Sequence, residues 1–332
     1  MTSPSQRAFA EFVLDHLVWF MLAVVLTVFS IFVPNFFQIG IFANIIEQST
    51  FVGVMAIGLA IVIIAGHMDL SVESIMALSA MVTGIIFCER GIGQGFSLDP
   101  PWLNIPASLL IVFVIGGLVG LINGLLVVRL KMNAFIVTLA SYIWVRGLVL
   151  AISGGASAQG LNPSLRAIGI DFFGLLPLHA LLAVLLFAVS SFVLAKTPFG
   201  RHLTLIGGNA VAAFRSGIAV DRLILLSFVL AGVIAAFAGW LLAIRTSGAT
   251  AGLGTGMLFN AFAAVVIGGV SLKGGVGKLP GVYCGVLLLS SIHTAINLMG
   301  LPAHYTQVIL GLLVLAAVLL DTVKLQIRQR IA

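Results

Sequence analysis

This sequence has very little charge. Lys, Arg, Asp and Glu together make up 8% of its 332 residues. A soluble domain typically carries about 25%, and a soluble surface cannot be built from so few charged groups. Cysteine is nearly absent. The only two, Cys88 and Cys284, lie in or beside apolar runs, which excludes a disulfide framework or a cysteine-based metal site. Phosphate-binding and catalytic strings are missing too. GGVGKL at 274–279 stops short of a P-loop, because Leu272 stands where the first Gly is needed and Leu279 where Ser or Thr is needed. GLGTGM at 252–257 is not a dinucleotide fingerprint, GASA at 155–158 lies in a loop and falls short of an intramembrane serine-protease motif, and no H-E-x-x-H occurs. His67, His179, His202, His293 and His304 are scattered without metal-ligand spacing, and His16 stands alone. The sequence therefore predicts no metal, no cofactor and no catalytic residue in this chain.

What is present is hydrophobic: 61% of the residues. A transmembrane helix needs about 20 apolar residues. Hydropathy places spans near 17–36, 49–66, 70–88, 107–128, 134–152, 176–195, 223–244, 258–272, 279–297 and 303–321. The fold class expected is all-α: a polytopic helix bundle of about ten spans, forming a single membrane domain over 1–332. Only Arg7 precedes the first span and no cleavage signature follows it, so that span reads as retained.

The net charge of +6 is read by its placement across the membrane, not as a nucleic-acid footprint. With these spans, Arg7, Arg129, Lys131, Lys196, Arg201, Arg215, Arg222, Lys273, Lys278, Lys324, Arg328 and Arg330 fall on one side. Arg90, Arg166 and Arg245 fall on the other, and Arg146 lies within a span. Both termini and the loop 196–222 are therefore expected to be cytosolic. The longest loops of the opposite side, 89–106 and 153–175, are rich in Gly, Pro and Ser and read as irregular with short helical pieces.

Several polar residues fall inside the apolar segments. Gly116, Gly120 and Gly124 share one helix stripe and predict a close helix crossing. Asn123 on the same span needs a partner in lipid. Arg146 must either snorkel to the interface or find a carboxylate or carbonyl partner. Asp69 and Glu73, if helical, share a face, with Asp69 as the helix cap. Two strings echo each other: IVIIAGHMDLS at 61–71 and AVVIGGVSLKGG at 264–275. Both run from a β-branched stretch into Gly, a pattern that marks broken helices near a transport pathway.

The segment KTPFGRHLTLIGGNAVAAFRSGIAVDR at 196–222 is the one sizeable basic interruption. Gly207 and Gly208 read as a break, Asn209 as an N-cap, Ala210–Ser216 as a short helix and Gly217 as a left-handed stop. A helix that short must pack on something.

The sequence resembles the membrane permease subunits of ABC-type sugar importers, the ribose-type group of a binding-protein-dependent permease family that also includes branched-chain amino-acid permeases. The resemblance runs from about 45 to 321 and is carried by GHMDLSVESIMALS (66–79), NGLLVVRLKMNAFIVTLASYIWVRGL (123–148), TPFGRHLTLIGGNAVAAFRSGI (197–218) and AAVVIGGVSLKGGVGKLPGVYCGVLL (263–288). It implies a path-forming subunit of the bacterial inner membrane. Its partners would be a second permease chain, cytosolic ABC ATPase subunits, a periplasmic sugar-binding protein and membrane lipid. It also implies that Gly207, Gly208, Asn209, Ala212, Ala213, Ser216 and Gly217 form the ATPase-coupling element. The sequence departs from the family pattern at Glu73, where Gly is usual, at Leu258 and Asn260, where acids are usual, and at Ala134, where Pro is usual.

The expected function is ATP-driven import of a monosaccharide or similar small polyol by alternating access. Asn123, Thr138, Ser141 and Asn297 are the expected path residues, being polar, embedded and uncharged. Import of a branched-chain amino acid or an autoinducer-like sugar derivative is the alternative within the family. A self-contained ion-coupled carrier is the alternative outside it, and the few embedded acids count against that.

Overall fold

The computed structural model describes residues 4–169, 171–172 and 176–300, with 308–309, 311–312, 315 and 319 beyond them. The expected tenth span, 303–321, lies outside the continuously described residues.

The architecture is mostly helical. Helices α1 (Pro4–Phe32), α2 (Ile39–Ile64), α3 (Val72–Phe87), α4 (Asn104–Val128) and α5 (Ala134–Ser153) come first. The short α6 (Pro163–Arg166) is followed by α7 (Leu178–Lys196), α8 (Pro198–Gly208) and α9 (Ala210–Arg215). Then come α10 (Val220–Thr246), α11 (Met257–Ile267) and α12 (Leu279–Leu298). Among the described residues six helical segments are long and apolar enough to cross a membrane: α2, Pro101–Val128, α5, α7, α10 and α12. Two of the expected spans are shorter than the sequence suggested. At 1.5 Å per residue α3 is about 24 Å long and α11 about 16 Å, less than the ~30 Å of a hydrocarbon core.

The packing follows the small residues. Gly116 and Gly120 of α4 meet α10 backbone to backbone, and Gly124 lies against Leu225 of the same helix. A Cβ at Gly116 would overlap the Gly232 carbonyl, and one at Gly120 the Phe228 carbonyl. Replacing either would force the helices apart, at about 1–3 kcal/mol for an overpacked contact. Helix α10 also packs on α2 and α3, and these form the buried centre. Helices α5 and α7 pack by one face only and present Ile136, Ile143, Leu185 and Phe192 outward.

Helix ends have local causes. Asn133 caps α5, its side-chain oxygen accepting from Phe135 N at 2.9 Å. Gly154, in the left-handed region at φ 56°, ends it. The loops expected to be irregular contain short strands as well as helical pieces. Strands β1 (Cys88–Gly91), β2 (Ala158–Leu161) and β5 (Gly248–Ala249) form an antiparallel sheet in the order β1-β2-β5, and β3 (Asp171–Phe172) pairs with β4 (Leu176–Pro177). The three-stranded sheet closes one end of the bundle, where α3 and α10 finish. Helices α8 and α9 occupy the opposite end.

Candidate functional site

Three places bring polar or irregular chain together: the α8–α9 end, the interior between α3, α4 and α5, and a cavity toward the sheet end.

At the α8–α9 end, α8 continues through Gly207 and Gly208, so these glycines do not break it as the sequence suggested. The break comes at Asn209, whose backbone is extended (φ −160°, ψ 99°). Asn209 caps α9, its side-chain oxygen accepting from Ala212 N at 2.9 Å. Gly217 follows in the left-handed region at φ 84°. Helix α9 buries Ala213 and exposes Val211 (62%) and Phe214 (71%). Ala212, Ser216 and Gly217 are exposed beside them, and neither Gly208 nor Gly217 has a neighbour that a Cβ would touch. Gly207 differs. A Cβ there would overlap the Ile64 carbonyl and the Gly275 amide.

Gly207 thereby touches both echoing segments. Gly66 at φ 84° ends α2, with its N–H donating to Ile63 O at 2.9 Å and His67 N to Val62 O at 3.0 Å. Gly269 at φ 86° ends α11 with the same pair of bonds, to Val266 O at 2.9 Å and from Val270 N to Val265 O at 3.1 Å. This is one helix-terminating turn used twice. The segments after the two turns meet: Gly275 N donates to Ile64 O at 2.9 Å, and a Cβ at Gly274 would sit 2.7 Å from Gly66 Cα.

Inside the bundle the segment 65–71 is not helical. Asp69 therefore does not cap α3. It lies two residues before the N-cap, Ser71, and its Oδ1 accepts from Ser71 N at 2.9 Å and Ser71 Oγ at 2.6 Å. Asn123 Nδ2 donates to Ser71 Oγ at 2.9 Å, and Ser141 Oγ donates to Asn123 Oδ1 at 2.5 Å. Thr138 Oγ1 donates to Ala134 O at 2.9 Å and lies 3.3 Å from Met68 O. Asn123, Thr138 and Ser141 thus gather around the non-helical segment, fully enclosed. Asn297 stands apart from them.

Glu73, in the first turn of α3, turns away from Asp69. Its Oε1 pairs with Arg146 Nη2 at 3.0 Å. Its Oε2 accepts from Gly256 N at 3.1 Å and Leu258 N at 2.9 Å, the start of α11. A carboxylate at a helix N-terminus is favoured by the unpaired N–H groups there. Arg146 Nη1 donates to Ala251 O and Leu253 O, both at 3.2 Å, and Nη2 to Thr255 Oγ1 at 3.0 Å. Arg146, 16% exposed at its side chain, therefore meets carboxylate and carbonyls, one of the two options open from the sequence. Together the pair fixes α3, α5 and the chain entering α11.

Toward the sheet end lies a cavity of about 310 Å³ between α2, α10, α11 and α12. Gln48, Phe51, Asn260, Ser290 and His293 line it, together with Glu47 and Arg245. Glu47 forms an ion pair with Arg245 and lies 3.7 Å from His179 Nε2. His293 Nδ1 is 3.2 Å from Gln48 Oε1 and 3.1 Å from Asn297 Nδ2, so Asn297 adjoins this cluster. The sequence reading passed over Gln48, Ser290 and Asn260 as path residues. The only signal was polar residues on apolar helices at corresponding depth. Among the described residues no group of three His, Cys, Asp or Glu could hold a metal ion.

Residues 41–318 match the family described as "Branched-chain amino acid transport system / permease component". The chain is 37% identical over 306 residues to the ribose import permease protein RbsC of Bacillus subtilis (strain 168), covering 91% of each chain. It is 31% identical over 316 residues to RbsC of Haemophilus influenzae, covering 94% of each. To the L-arabinose transport system permease protein AraH of Escherichia coli (strain K12) it is 35% identical over 303 residues, 91% of this chain and 88% of the other. No solved structure matches the chain.

Proposed function

The chain belongs to this permease-component family of multi-pass membrane proteins, and on that premise we propose that it forms the path of an ATP-driven importer for a monosaccharide or similar small polyol. The observation that carries the substrate class is the near-full-length similarity to permeases named for ribose and L-arabinose. Both are neutral pentoses. The chain itself is a transport component, and ATP hydrolysis belongs to separate subunits.

The α8–α9 element supports a coupling role. It stands at the end of the bundle where the connections carry most of the Lys and Arg, which by the positive-inside tendency faces the cytosol. Its exposed Val211 and Phe214 give an ATPase groove something apolar to seat, and Ala212, Ser216 and Gly217 keep the element slim. In this reading Gly208, Asn209, Ala212, Ala213, Ser216 and Gly217 shape the docking surface, and Gly207 passes the stroke inward. ATP-driven closure of the ATPase pair shifts α8–α9, and the two glycine-ended segments move with it. Alternating access follows as a population shift between outward-open and inward-open arrangements. Asn123, Thr138 and Ser141 border the path on the cytosolic side by holding 65–71, and Asn297 borders it at the sheet end. A second permease chain completes the path, and a periplasmic binding protein delivers solute.

Replacing Ala212 with Trp or Gly217 with Val tests the coupling. Uptake and ATPase association should be lost while membrane insertion is retained. Normal uptake in either variant would overturn it. Uptake by proteoliposomes holding this chain alone would instead favour a self-contained carrier.

A further inference from the structure

We infer that the cavity between α2, α10, α11 and α12 holds one neutral polyhydroxy molecule inside a single permease chain. The inference rests on the importer reading and names a site for its solute. Size comes first. At about 310 Å³ the cavity sits at the small end of the roughly 300–1,000 Å³ that small-molecule sites occupy. That suits one sugar ring.

Chemistry comes second. The Asn260 and Ser290 side chains line the cavity and make no hydrogen bond with any described residue. Both are half-buried on apolar helices, so their polar groups are open to the cavity. An amide offers two donors and an acceptor, and a hydroxyl offers one donor and two lone pairs. A ligand rich in hydroxyls satisfies both residues at once. Gln48 and His293 are already held against each other and so present fixed polar atoms. The Phe51 ring supplies an apolar wall for the C–H face of a sugar.

Charge comes third. Glu47 and Arg245 both line the cavity, but they neutralise each other in an ion pair. The pair has no net charge. A zwitterionic amino acid would have to break that pair to use it, whereas a neutral polyol leaves it intact. The cavity also lies away from α8–α9, toward the end where, in the orientation proposed, solute arrives.

The test uses the complete importer in proteoliposomes, with its ATPase and binding protein. Ser290→Cys is labelled with a small methanethiosulfonate reagent, with D-ribose, L-arabinose and L-leucine as probes. Cys88 and Cys284 are buried, so background labelling is low. The sugar that is taken up should slow labelling by about tenfold at ten times its half-saturating concentration, as simple occupancy requires. Sugar uptake with an unchanged labelling rate would overturn the cavity site and leave the importer reading standing. Protection by L-leucine and by neither sugar would overturn both. A second measurement keeps the idea exposed if Ser290→Cys assembles poorly. Asn260→Leu should cut uptake about tenfold, the worth of a lost hydrogen bond to substrate, with ATPase association kept and Asn260→Gln largely active. Full uptake by Asn260→Leu would also overturn the site.

Discussion

Glu73 satisfies four groups at once: the Arg146 guanidinium, the Tyr142 hydroxyl and the amides of Gly256 and Leu258. Its side chain is 1% exposed. Burying a charge is expensive, and removing one partner leaves the other uncompensated, typically at about 3–5 kcal/mol. Glu73→Leu should therefore lower the detergent-solubilised thermal midpoint strongly. Pairing it with Arg146→Met should recover most of the loss, because no orphan charge then remains. A double variant as unstable as the single one would show that the amides of α11, not the ion pair, set the cost. The need for such a partner was legible in the sequence, since Arg146 stood alone within an apolar span. The partner's identity was not. Asp69 and Glu73 looked like one helix face, and only the non-helical 65–71 segment sends Asp69 to Ser71 and Glu73 to α11. The same segment explains Asn123, Thr138 and Ser141. Their embedding was readable from hydropathy, but what they bond depends on a backbone turn that hydropathy does not register.

Most of the helices were legible because about 20 apolar residues between charged connections leave few alternatives. The half-length helix α11 was harder. Hydropathy runs straight through Gly269 inside the expected span 258–272, and a helix ended by a left-handed glycine inside an apolar stretch looks like a longer span. The echo between 61–71 and 264–275 was the one signal, and the repeated terminating turn is its physical content. The two turns, with Gly207 of α8 wedged against them, form a contact with no room for a Cβ. This separates two neighbouring glycines that look alike in sequence. Gly207→Ala must push apart Ile64 and Gly275, while Gly208→Ala meets nothing. Gly207→Ala should keep ATPase association but lose most uptake, because the stroke no longer reaches both segments. Gly208→Ala should associate with the ATPase and transport near the original level. Equal transport by the two variants, measured as uptake per bound ATPase, would remove Gly207 from the transmission path.

At the scale of the whole molecule, charge and architecture agree. The connections at the α8–α9 end carry Arg129, Lys131, Lys196, Arg201, Arg215, Arg222, Lys273 and Lys278, and the sheet end carries Arg90, Arg166 and Arg245. Helix direction, not hydropathy alone, now assigns these groups to ends, since α4 and α10 run antiparallel through the Gly116–Gly232 contact. The proposed docking element and the lined cavity lie toward opposite ends. The proposed reading commits the molecule to one orientation, with α8–α9 in the cytosol and the sheet end outside. Cysteines placed at exposed Gln159 in β2 and at exposed Arg215 in α9 should therefore differ in access. A membrane-impermeant maleimide on intact spheroplasts should label Gln159→Cys, and should reach Arg215→Cys only after permeabilisation. Cys88 and Cys284 are buried, so the wild-type chain should stay dark. The reverse pattern would place α8–α9 outside the cell, where no ATP-driven partner could reach it, and the coupling role would fall with the topology.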